Sequence, residues 1–254
     1  MNEFLPLTVN GLANGAILAV TALGFVLIYK ATEVINFAQG QFLIFGAFMV
    51  YQAEKVWGLP WPVALAVGIG TGVFLGVAVE RLILRRMIGE SPLSVIMVTV
   101  GLASTLAGAA LGIWGAEGKP GGPTFIPTGS VKLVGDVSVN ANRLWAMGVA
   151  AVVLILVALF FQKSRHGVAM RAVADDLQAA MVQGISVNRV FAMAWALSGA
   201  AAAVGGVLLA SIAGSYGIEL QGFAILVFPV VILGGLDSVV GTVVGGIIVG
   251  LLVE

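Results

Sequence analysis

Amide side chains cluster in one short segment, EVINFAQGQF, which lies between two strongly apolar runs. Asn36, Gln39 and Gln41 surround Gly40 in this segment. Amide side chains donate and accept hydrogen bonds but do not titrate. They can therefore bind or pack but do not transfer protons. Polar groups at membrane depth are costly unless they face protein or water. The segment is predicted either as a turn in which Asn36 caps the second helix, or as a break whose amides line a pathway or bind a mobile element.

A second pair of amides, Asn10 and Asn14, stands four residues apart and so on one face of a helix. These two side chains could face the same interior as the amides of the EVINFAQGQF segment. The alternative is a hydrogen bond between two helices without any contact to a solute. Together with Asn36, Gln39 and Gln41, they form the predicted translocation pathway.

Carboxylates are scarce in the apolar runs, and none of these runs holds a pair of them. Glu80 and Arg81 are predicted to form an interfacial pair at the inner end of the third helix. Asp237 stands in a break near the membrane surface, and a proton relay through it is a minor alternative. Because ion-coupled carriers commonly hold ionisable residues at mid-depth, this scarcity weakens a proton-coupled mechanism.

Motifs for catalysis or nucleotide binding are missing from the sequence. Gly118 and Lys119 are followed by Pro120, which does not fit the P-loop pattern. His166 is the single histidine and there is no cysteine, so no His-based or thiolate metal site is predicted. The chain is therefore not expected to be an enzyme or to bind a cofactor itself.

The composition is that of an integral membrane protein. The 254 residues are 60% hydrophobic and 9% charged, whereas soluble domains carry about 25% charged residues. The net charge is zero, which offers no basic footprint for a nucleic acid. Membrane lipid is thus the expected surrounding, and no nucleic-acid partner is expected.

Apolar runs of about 20 residues are long enough to span a bilayer as helices. The sequence has such runs at Leu5–Tyr29, Ile35–Ala53, Trp61–Leu84, Ser94–Gly115, Leu144–Gln162 and Val190–Gly214, and Gly222–Val253 holds two more around a break at Leu233–Asp237. The absence of period-two alternation favours helices over a β-barrel. The predicted fold is an all-α integral membrane protein of about eight transmembrane helices, with one domain over residues 1–254.

Glycines recur at four-residue spacing in several of these runs, which predicts close helix packing. Flexibility during a transport cycle is the alternative use of such glycines. The glycines concerned are Gly68, Gly72 and Gly76, then Gly108 and Gly112, and finally Gly241 and Gly245 with Gly246 and Gly250.

Lysine and arginine residues set the orientation. With the N-terminus outside, eight of the twelve basic residues become cytoplasmic. The Gly- and Pro-rich loop 116–142 then lies outside, and the loop 163–189 lies inside. The inner loop begins with the basic stretch KSRHG and continues with a helix-compatible run that Gly184 is predicted to end.

Several segments resemble the permeases of ATP-binding cassette (ABC) importers for branched-chain amino acids, the LivH type. INFAQGQF is similar to the family's I-N-F-A-H-G-E-F, and QAAMVQG is similar to the E-A-A-x-x-x-G coupling motif. NGLANGAILAVTALGFVLIY, SRHGVAMRAVADDLQAAMVQGISVNRV and ILGGLDSVVGTVVGGIIVGLL resemble the first helix, the cytoplasmic loop and the C-terminal segment. The resemblance covers nearly the whole chain in order.

The resemblance implies separate cytoplasmic ATPase subunits that bind ATP and Mg, a second permease subunit, and an extracytoplasmic substrate-binding protein. It also implies a bacterial cytoplasmic (inner) membrane and branched-chain or related hydrophobic amino acids as substrates. A helix from about Arg171 to Gly184 would dock on the ATPase, with an apolar contact, a polar rim and alanines that allow close approach. The implied coupling residues are Arg171, Asp175, Asp176, Leu177, Gln178, Ala179, Ala180, Met181 and Gly184.

This sequence departs from the family pattern at a few positions. Gln39 and Gln41 replace the usual His and Glu, which argues against a charge or proton role there. Asp237 stands where glycine is common, and family members usually carry one more apolar helix beyond the position of Glu254.

Two other classes of protein remain open at this point. One is a self-contained secondary transporter or channel for a small polar solute such as urea or an amide, which needs no ATPase. The other is a structural membrane subunit without transport, which the amides within the helices disfavour.

Overall fold

The computed structural model describes residues 4–127, 129–134, 137–217 and 220–254. Within these ranges the apolar helices are α1 (Phe4–Thr32), α2 (Gln39–Tyr51), α3 (Trp61–Leu82), α4 (Pro92–Trp114), α5 (Ala141–Lys163), α8 (Val187–Ala213), α9 (Leu220–Gly234) and α10 (Val239–Val253). Five of these, α1, α3, α4, α5 and α8, are long and apolar enough to cross a membrane by themselves. The predicted all-α membrane class is confirmed, and the apolar helices follow the predicted order.

Local sequence signals explain several helix ends. Pro92 opens α4, where a missing N–H costs nothing, and the Ser91 side chain caps that helix by accepting from the Ser94 N–H. Ser238 caps α10 in the same way through the Gly241 N–H. The predicted break in the tail is confirmed, since α9 ends at Gly234 and α10 begins at Val239.

Helices α1 and α8 form the centre of the bundle. α1 is largely buried and packs against α10, α8, α5 and α9. α8 is also largely buried and packs against α3, α1 and α2. By contrast, only a minority of the residues of α3, α4 and α5 are buried, as in helices that face lipid or another subunit.

Most of the spaced glycines mark close helix crossings, as predicted. A Cβ added at Gly72 of α3 would lie under 3.0 Å from the Gly199 carbonyl of α8, and one at Gly246 of α10 would overlap the Gly15 carbonyl of α1. Gly108 and Gly112 are different, because a Cβ at either position meets nothing within 4 Å. The packing prediction is wrong for these two glycines within the described chain.

The outer loop contains short strands that the sequence did not predict. β1 (Lys119–Pro120) pairs antiparallel with β4 (Ser215–Tyr216), and β2 (Ser130–Val134) pairs antiparallel with β3 (Val137–Asn140). The β1–β4 pair joins the outer loop to the chain that follows α8. The fold is therefore all-α within the apolar bundle but not in this loop.

The inner loop forms two helices, α6 (Arg165–Asp175) and α7 (Leu177–Val182), and not the single helix that was predicted. Asp176 breaks the run because its backbone is extended, at φ −155° and ψ 105°, and its Oδ1 accepts from the N–H groups of Gln178 and Ala179 at 2.9 Å. An aspartate in this position is a strong N-cap for the second helix.

Gly184 ends α7 as predicted. Its φ of +80° is in the left-handed region. Its N–H bonds to the Met181 carbonyl at 3.0 Å, and the Ile185 N–H bonds to the Ala180 carbonyl at 3.0 Å. This pair of bonds is the Schellman pattern, which favours glycine here.

Candidate functional site

The link between α1 and α2 is a sharp turn. α1 ends after Thr32, and Glu33 adopts a left-handed backbone with φ +55°. Asn36 Oδ1 accepts from the Ala38 N–H at 3.0 Å, which is a local Asx-type turn. Ala38, not Asn36, is the N-cap residue of α2, and it makes no side-chain cap bond. The prediction that Asn36 caps the second helix is therefore wrong.

Asn36, Gln39 and Ser198 form an amide cluster in the core. The Ser198 hydroxyl donates to Gln39 Oε1 at 2.9 Å, and Gln39 Nε2 donates to the Ser198 carbonyl at 3.4 Å. Asn36 Nδ2 donates to the same Gln39 Oε1 at 3.3 Å. All three residues are fully buried. A side chain at Gly24 of α1 would overlap Gln39 Nε2, so the glycine makes room for the amide between α1 and α8.

Thr99 of α4 forms hydrogen bonds with the turn between α1 and α2. Its hydroxyl accepts from the Phe37 N–H at 3.4 Å and lies 3.3 Å from the Ile35 carbonyl. Sequence reasoning missed both Thr99 and Ser198, because a single hydroxyl in an apolar helix usually bonds its own preceding turn. The clue was weak, namely that each is an isolated hydroxyl in an apolar run.

The five predicted pathway amides do not come together. Gln41 lies on α2, two residues after Gln39, and is buried. Its Oε1 has no hydrogen-bond partner among the described residues. Asn14 instead donates to Glu254 Oε1 at 2.6 Å, as does Arg143 at 2.9 Å. Asn10 is half-buried and lies one turn before Asn14 on α1. Both residues lie toward the opposite end of α1 from the amide cluster. The Asn14 bond to Glu254 is the hydrogen bond between helix ends that the sequence offered as the alternative, and a pathway role for Asn10 and Asn14 stays a prediction.

A cavity of about 560 Å³, here called the inner cavity, lies where the inner ends of α1, α3, α4 and α8 meet. Tyr29, Trp195 and Leu177 are among its lining residues, together with Glu80 and Arg85. Trp195 precedes Ser198 by about one helical turn, so the cavity adjoins the amide cluster. Leu177 belongs to α7, so the cavity also touches the inner loop.

Glu80 and Arg85 make a bidentate ion pair in the wall of this cavity. Arg85 Nε and Nη2 donate to Glu80 Oε1 and Oε2 at 3.0 and 2.9 Å. The Glu80 side chain is 1% exposed, whereas that of Arg85 is 36% exposed. The predicted partner, Arg81, is exposed and lies outside this pair. The pairing of Glu80 with Arg81 is therefore wrong, since Arg85 returns on the turn after α3.

The outer end of the bundle holds a separate polar group. Glu54, in a π-helical turn at Gln52–Val56, accepts from the Thr124 N–H at 3.0 Å and from the Thr124 hydroxyl. Tyr216 of β4 is fully buried, and burial raises the pKa of its phenol, with a further contribution from Glu54. The phenol therefore remains protonated at physiological pH. These contacts fasten the outer loop to the helix ends.

The outward edge of α7 is apolar. Leu177 is 37% exposed, Met181 is 51% exposed and Val182 is 86% exposed. We call these three residues the α7 edge. The exposed positions around it include the predicted coupling residues Asp175, Asp176, Gln178, Ala179 and Gly184.

Two of the predicted coupling residues make contacts with other parts of this chain. Ala180 is 4% exposed and packs in a cluster with Met170, Val190 and other buried residues. Arg171 donates from Nη1 to the Phe161 carbonyl at the end of α5. Ala180 is therefore buried within this chain and does not form part of an exposed docking face. Arg171 is half-buried, and its place at the polar rim stays a prediction. Both residues hold α6 and α7 against the bundle.

An apolar helix bundle with a buried amide cluster, a cavity at one end and an exposed helical edge beside that cavity is the architecture of a membrane transport subunit. The family model described as "Branched-chain amino acid transport system / permease component" matches residues 7–254. The chain belongs to this family, and the resemblance found in the sequence is confirmed.

Curated relatives agree with the family match. The high-affinity branched-chain amino acid transport system permease protein BraD of Pseudomonas aeruginosa is 28% identical over 98% of this chain and 84% of its own length. The corresponding LivH protein of Salmonella typhimurium is 28% identical over 97% of this chain and 84% of its own. A probable LivH permease of Methanocaldococcus jannaschii is 29% identical over 92% and 75%. No solved structure matches the chain significantly.

Proposed function

We propose that this chain is the permease subunit of an ABC importer that moves branched-chain or related hydrophobic amino acids into the cell. The observation that carries the proposal is the position of α7. Its apolar edge is exposed, and its Leu177 lines the inner cavity beside the buried amide cluster. A partner that moves α7 would therefore act directly on the wall of the cavity.

A cytoplasmic ATPase is the partner that fits this edge. Helix-in-groove recognition uses apolar anchors on one side of a short helix, and Leu177 and Met181, which are four residues apart and both exposed, supply them here. Asp175 ends α6 and Asp176 caps α7, and both are exposed, so they would form a polar rim beside the α7 edge. ATP and Mg would bind on the ATPase, and its closure would shift α6 and α7 against α1 and α8.

The inner cavity has a lining that suits a small aliphatic amino acid. Apolar side chains such as Val34, Val95 and Phe191 form much of its wall. Carboxylates of Glu33 and Glu90 also line it, and carboxylates attract an ammonium group. The names of the relatives support the same class of solute. We place the passage of the solute through this cavity and past Gln41, whose Oε1 is free to accept a hydrogen bond.

The working assembly would contain more than this chain. We propose a second permease subunit, identical or homologous, two ATPase subunits on the cytoplasmic side, and a substrate-binding protein outside that selects the solute. The membrane would be the cytoplasmic membrane of a bacterium. The exposed apolar surfaces of α4 and α5 are available for lipid or for the second permease subunit.

Reconstituted proteoliposomes test this proposal. The full chain is combined with the candidate ATPase subunits, the partner permease subunit and the binding protein, and uptake of labelled leucine is followed with ATP or with a non-hydrolysable analogue. The proposal predicts uptake that needs ATP hydrolysis and each added component. Uptake of leucine, urea or an amide by this chain alone would instead establish a self-contained carrier or channel.

A further inference from the structure

A second concave surface lies between α3 and α8 at the inner end of the bundle. This groove has a volume of about 560 Å³, and Arg85 lines both it and the inner cavity. Its polar lining consists of Arg81, Arg85, Ser186, Asn188 and Arg189, and its apolar lining consists of Val77, Ala192, Met193 and Ala196. We call this surface the basic groove.

The two halves of the basic groove lie at different depths. On α3, Val77 precedes Arg81 by four residues, so both are on one face and the arginine is nearer the inner end. On α8, Arg189 is followed on one face by Met193 and Ala196, which lie deeper in the bundle. The groove is therefore basic at the membrane surface and apolar beneath it.

The basic groove carries an excess of positive charge. Glu80 neutralises Arg85 through their bidentate pair. Arg81 and Arg189 are exposed, and neither has an ion-pair partner in the part of the chain that the structure describes. Two guanidinium groups from different helices thus face one opening, and guanidinium groups bind phosphate oxygens in a fork geometry.

We propose that the basic groove binds an anionic phospholipid of the inner leaflet. Its phosphate lies between Arg81 and Arg189, and an acyl chain covers Val77, Met193 and Ala196. Basic pockets between spanning helices on the cytoplasmic side are suited to such headgroups. The lipid bridges α3 and α8 beside the close approach of Gly76 to the Trp195 carbonyl. This inference does not depend on which solute the protein moves.

Charge and shape together favour a lipid over a water-soluble partner. An acidic protein surface would satisfy the arginines but would leave the apolar lower wall of the groove uncovered. A free phosphate ion would leave the same wall uncovered. The chemistry shared by all three candidates is an anionic oxygen, so the experiment must separate them by what occupies the apolar half.

The test uses the purified full chain in mild detergent and three probes: phosphatidylglycerol, phosphatidylcholine with the same acyl chains, and inorganic phosphate. Native mass spectrometry gives the lipid retained, and thermal unfolding gives the shift in Tm on addition of each probe. The wild type is expected to retain phosphatidylglycerol in preference to phosphatidylcholine. Phosphate at the same concentration is expected to cause no shift in Tm.

Charge removal in the groove is expected to abolish the preference. Each basic residue near an anionic headgroup contributes about fivefold to binding, so Arg81→Gln with Arg189→Gln should weaken phosphatidylglycerol binding about twenty-fivefold. Arg86→Gln with Lys163→Gln removes the same charge at exposed positions outside the groove and should leave binding unchanged. Arg81→Lys with Arg189→Lys keeps the charge and should retain most of the binding even if the glutamine variant folds poorly.

Several results would overturn the proposal. Equal retention of the two lipids would show that the arginines do not select a headgroup. An equal loss in the Arg86 and Lys163 control would assign the effect to general surface charge. A Tm shift with inorganic phosphate would assign the site to a free anion. Loss of ATPase association with unchanged lipid binding in the groove variant would make this surface a protein contact.

Discussion

The hydroxyl of Ser198 donates a hydrogen bond to Gln39 Oε1 at 2.9 Å, although the two residues are 159 positions apart in the chain. This bond joins the first turn of α2 to the middle of α8, inside a fully buried cluster. Gly24 of α1 leaves the space that the Gln39 amide fills. The polar segment between the first two helices is thus fixed to the central helix by specific side-chain bonds.

Replacement of Gln39 by leucine is expected to lower stability. The change leaves the Ser198 hydroxyl and the Asn36 amide buried without Gln39 as partner, which costs about 1–2 kcal/mol. Thermal unfolding in mild detergent should show a lower Tm for Gln39→Leu. Gln41→Leu is the matched control, because Gln41 Oε1 has no partner to lose among the described residues. An equal drop in Tm for both variants would contradict the role given to the cluster.

Gln41 is expected to affect transport more than folding. Its buried Oε1 has no partner in the described chain, so removal of the amide leaves no broken bond at that atom. Gln41→Leu should keep the wild-type Tm while the initial rate of ATP-dependent leucine uptake falls about tenfold or more, the effect of roughly 1.4 kcal/mol at one hydrogen bond to a solute. Uptake at the wild-type rate would remove Gln41 from the pathway.

The glycine crossing between α3 and α8 is expected to tolerate no side chain. A Cβ at Gly72 would overlap the Gly199 carbonyl, so Gly72→Ala forces the two helices apart and should cost about 1–3 kcal/mol. Gly70→Ala is the control on the same helix, because a Cβ there meets nothing within 4 Å. The Tm and the folded yield after size-exclusion chromatography report the difference. A Gly72→Ala protein as stable as Gly70→Ala would contradict the observed crossing.

Loss of Arg85 should lower the stability of the protein more than loss of Glu80. Arg85→Gln leaves a carboxylate that is 1% exposed without its cation, which costs about 3 kcal/mol. Glu80→Gln leaves Arg85, which is 36% exposed and can turn toward water, so the cost is about 1 kcal/mol.

Thermal unfolding of the two single variants and the double variant checks this order. The double variant should recover part of the loss caused by Arg85→Gln, because it removes the unpaired carboxylate. A larger loss for Glu80→Gln than for Arg85→Gln would contradict the burial of Glu80.

The fold class and the helix order were predictable because about 20 apolar residues in a row identify each long span whatever its neighbours are. The glycines of α3 were predictable for a similar reason, since their four-residue spacing defines one face. Partners across the bundle were not predictable from such local patterns. Ser198 contacts Gln39 only because α8 crosses the start of α2, and no sequence period encodes that crossing.

The inner loop also has one feature that the sequence predicted and two that it did not. Gly184 was identified as a helix end because the left-handed position favours glycine. The break at Asp176 was missed because a run rich in alanine masks a capping aspartate within it. The inward side of α7 was also missed, since the burial of Ala180 depends on helices that are distant in sequence.

The proposed coupling of this permease to a cytoplasmic ATPase rests on the α7 edge. The direct measurement is co-purification, in mild detergent, with the candidate ATPase subunit from the same gene neighbourhood. Met181→Asp with Val182→Asp places charge on two exposed apolar side chains of α7. Val168→Asp is the control, because Val168 is an exposed apolar residue on α6, outside the edge.

Wild type and Val168→Asp are expected to retain the ATPase, while the α7 variant is expected to lose it and to keep the wild-type Tm. Apolar anchors that become buried in a complex contribute about 2 kcal/mol or more each, so association should fall by more than a hundredfold. Equal retention of the ATPase by all three proteins would contradict the claim that the α7 edge is the docking surface.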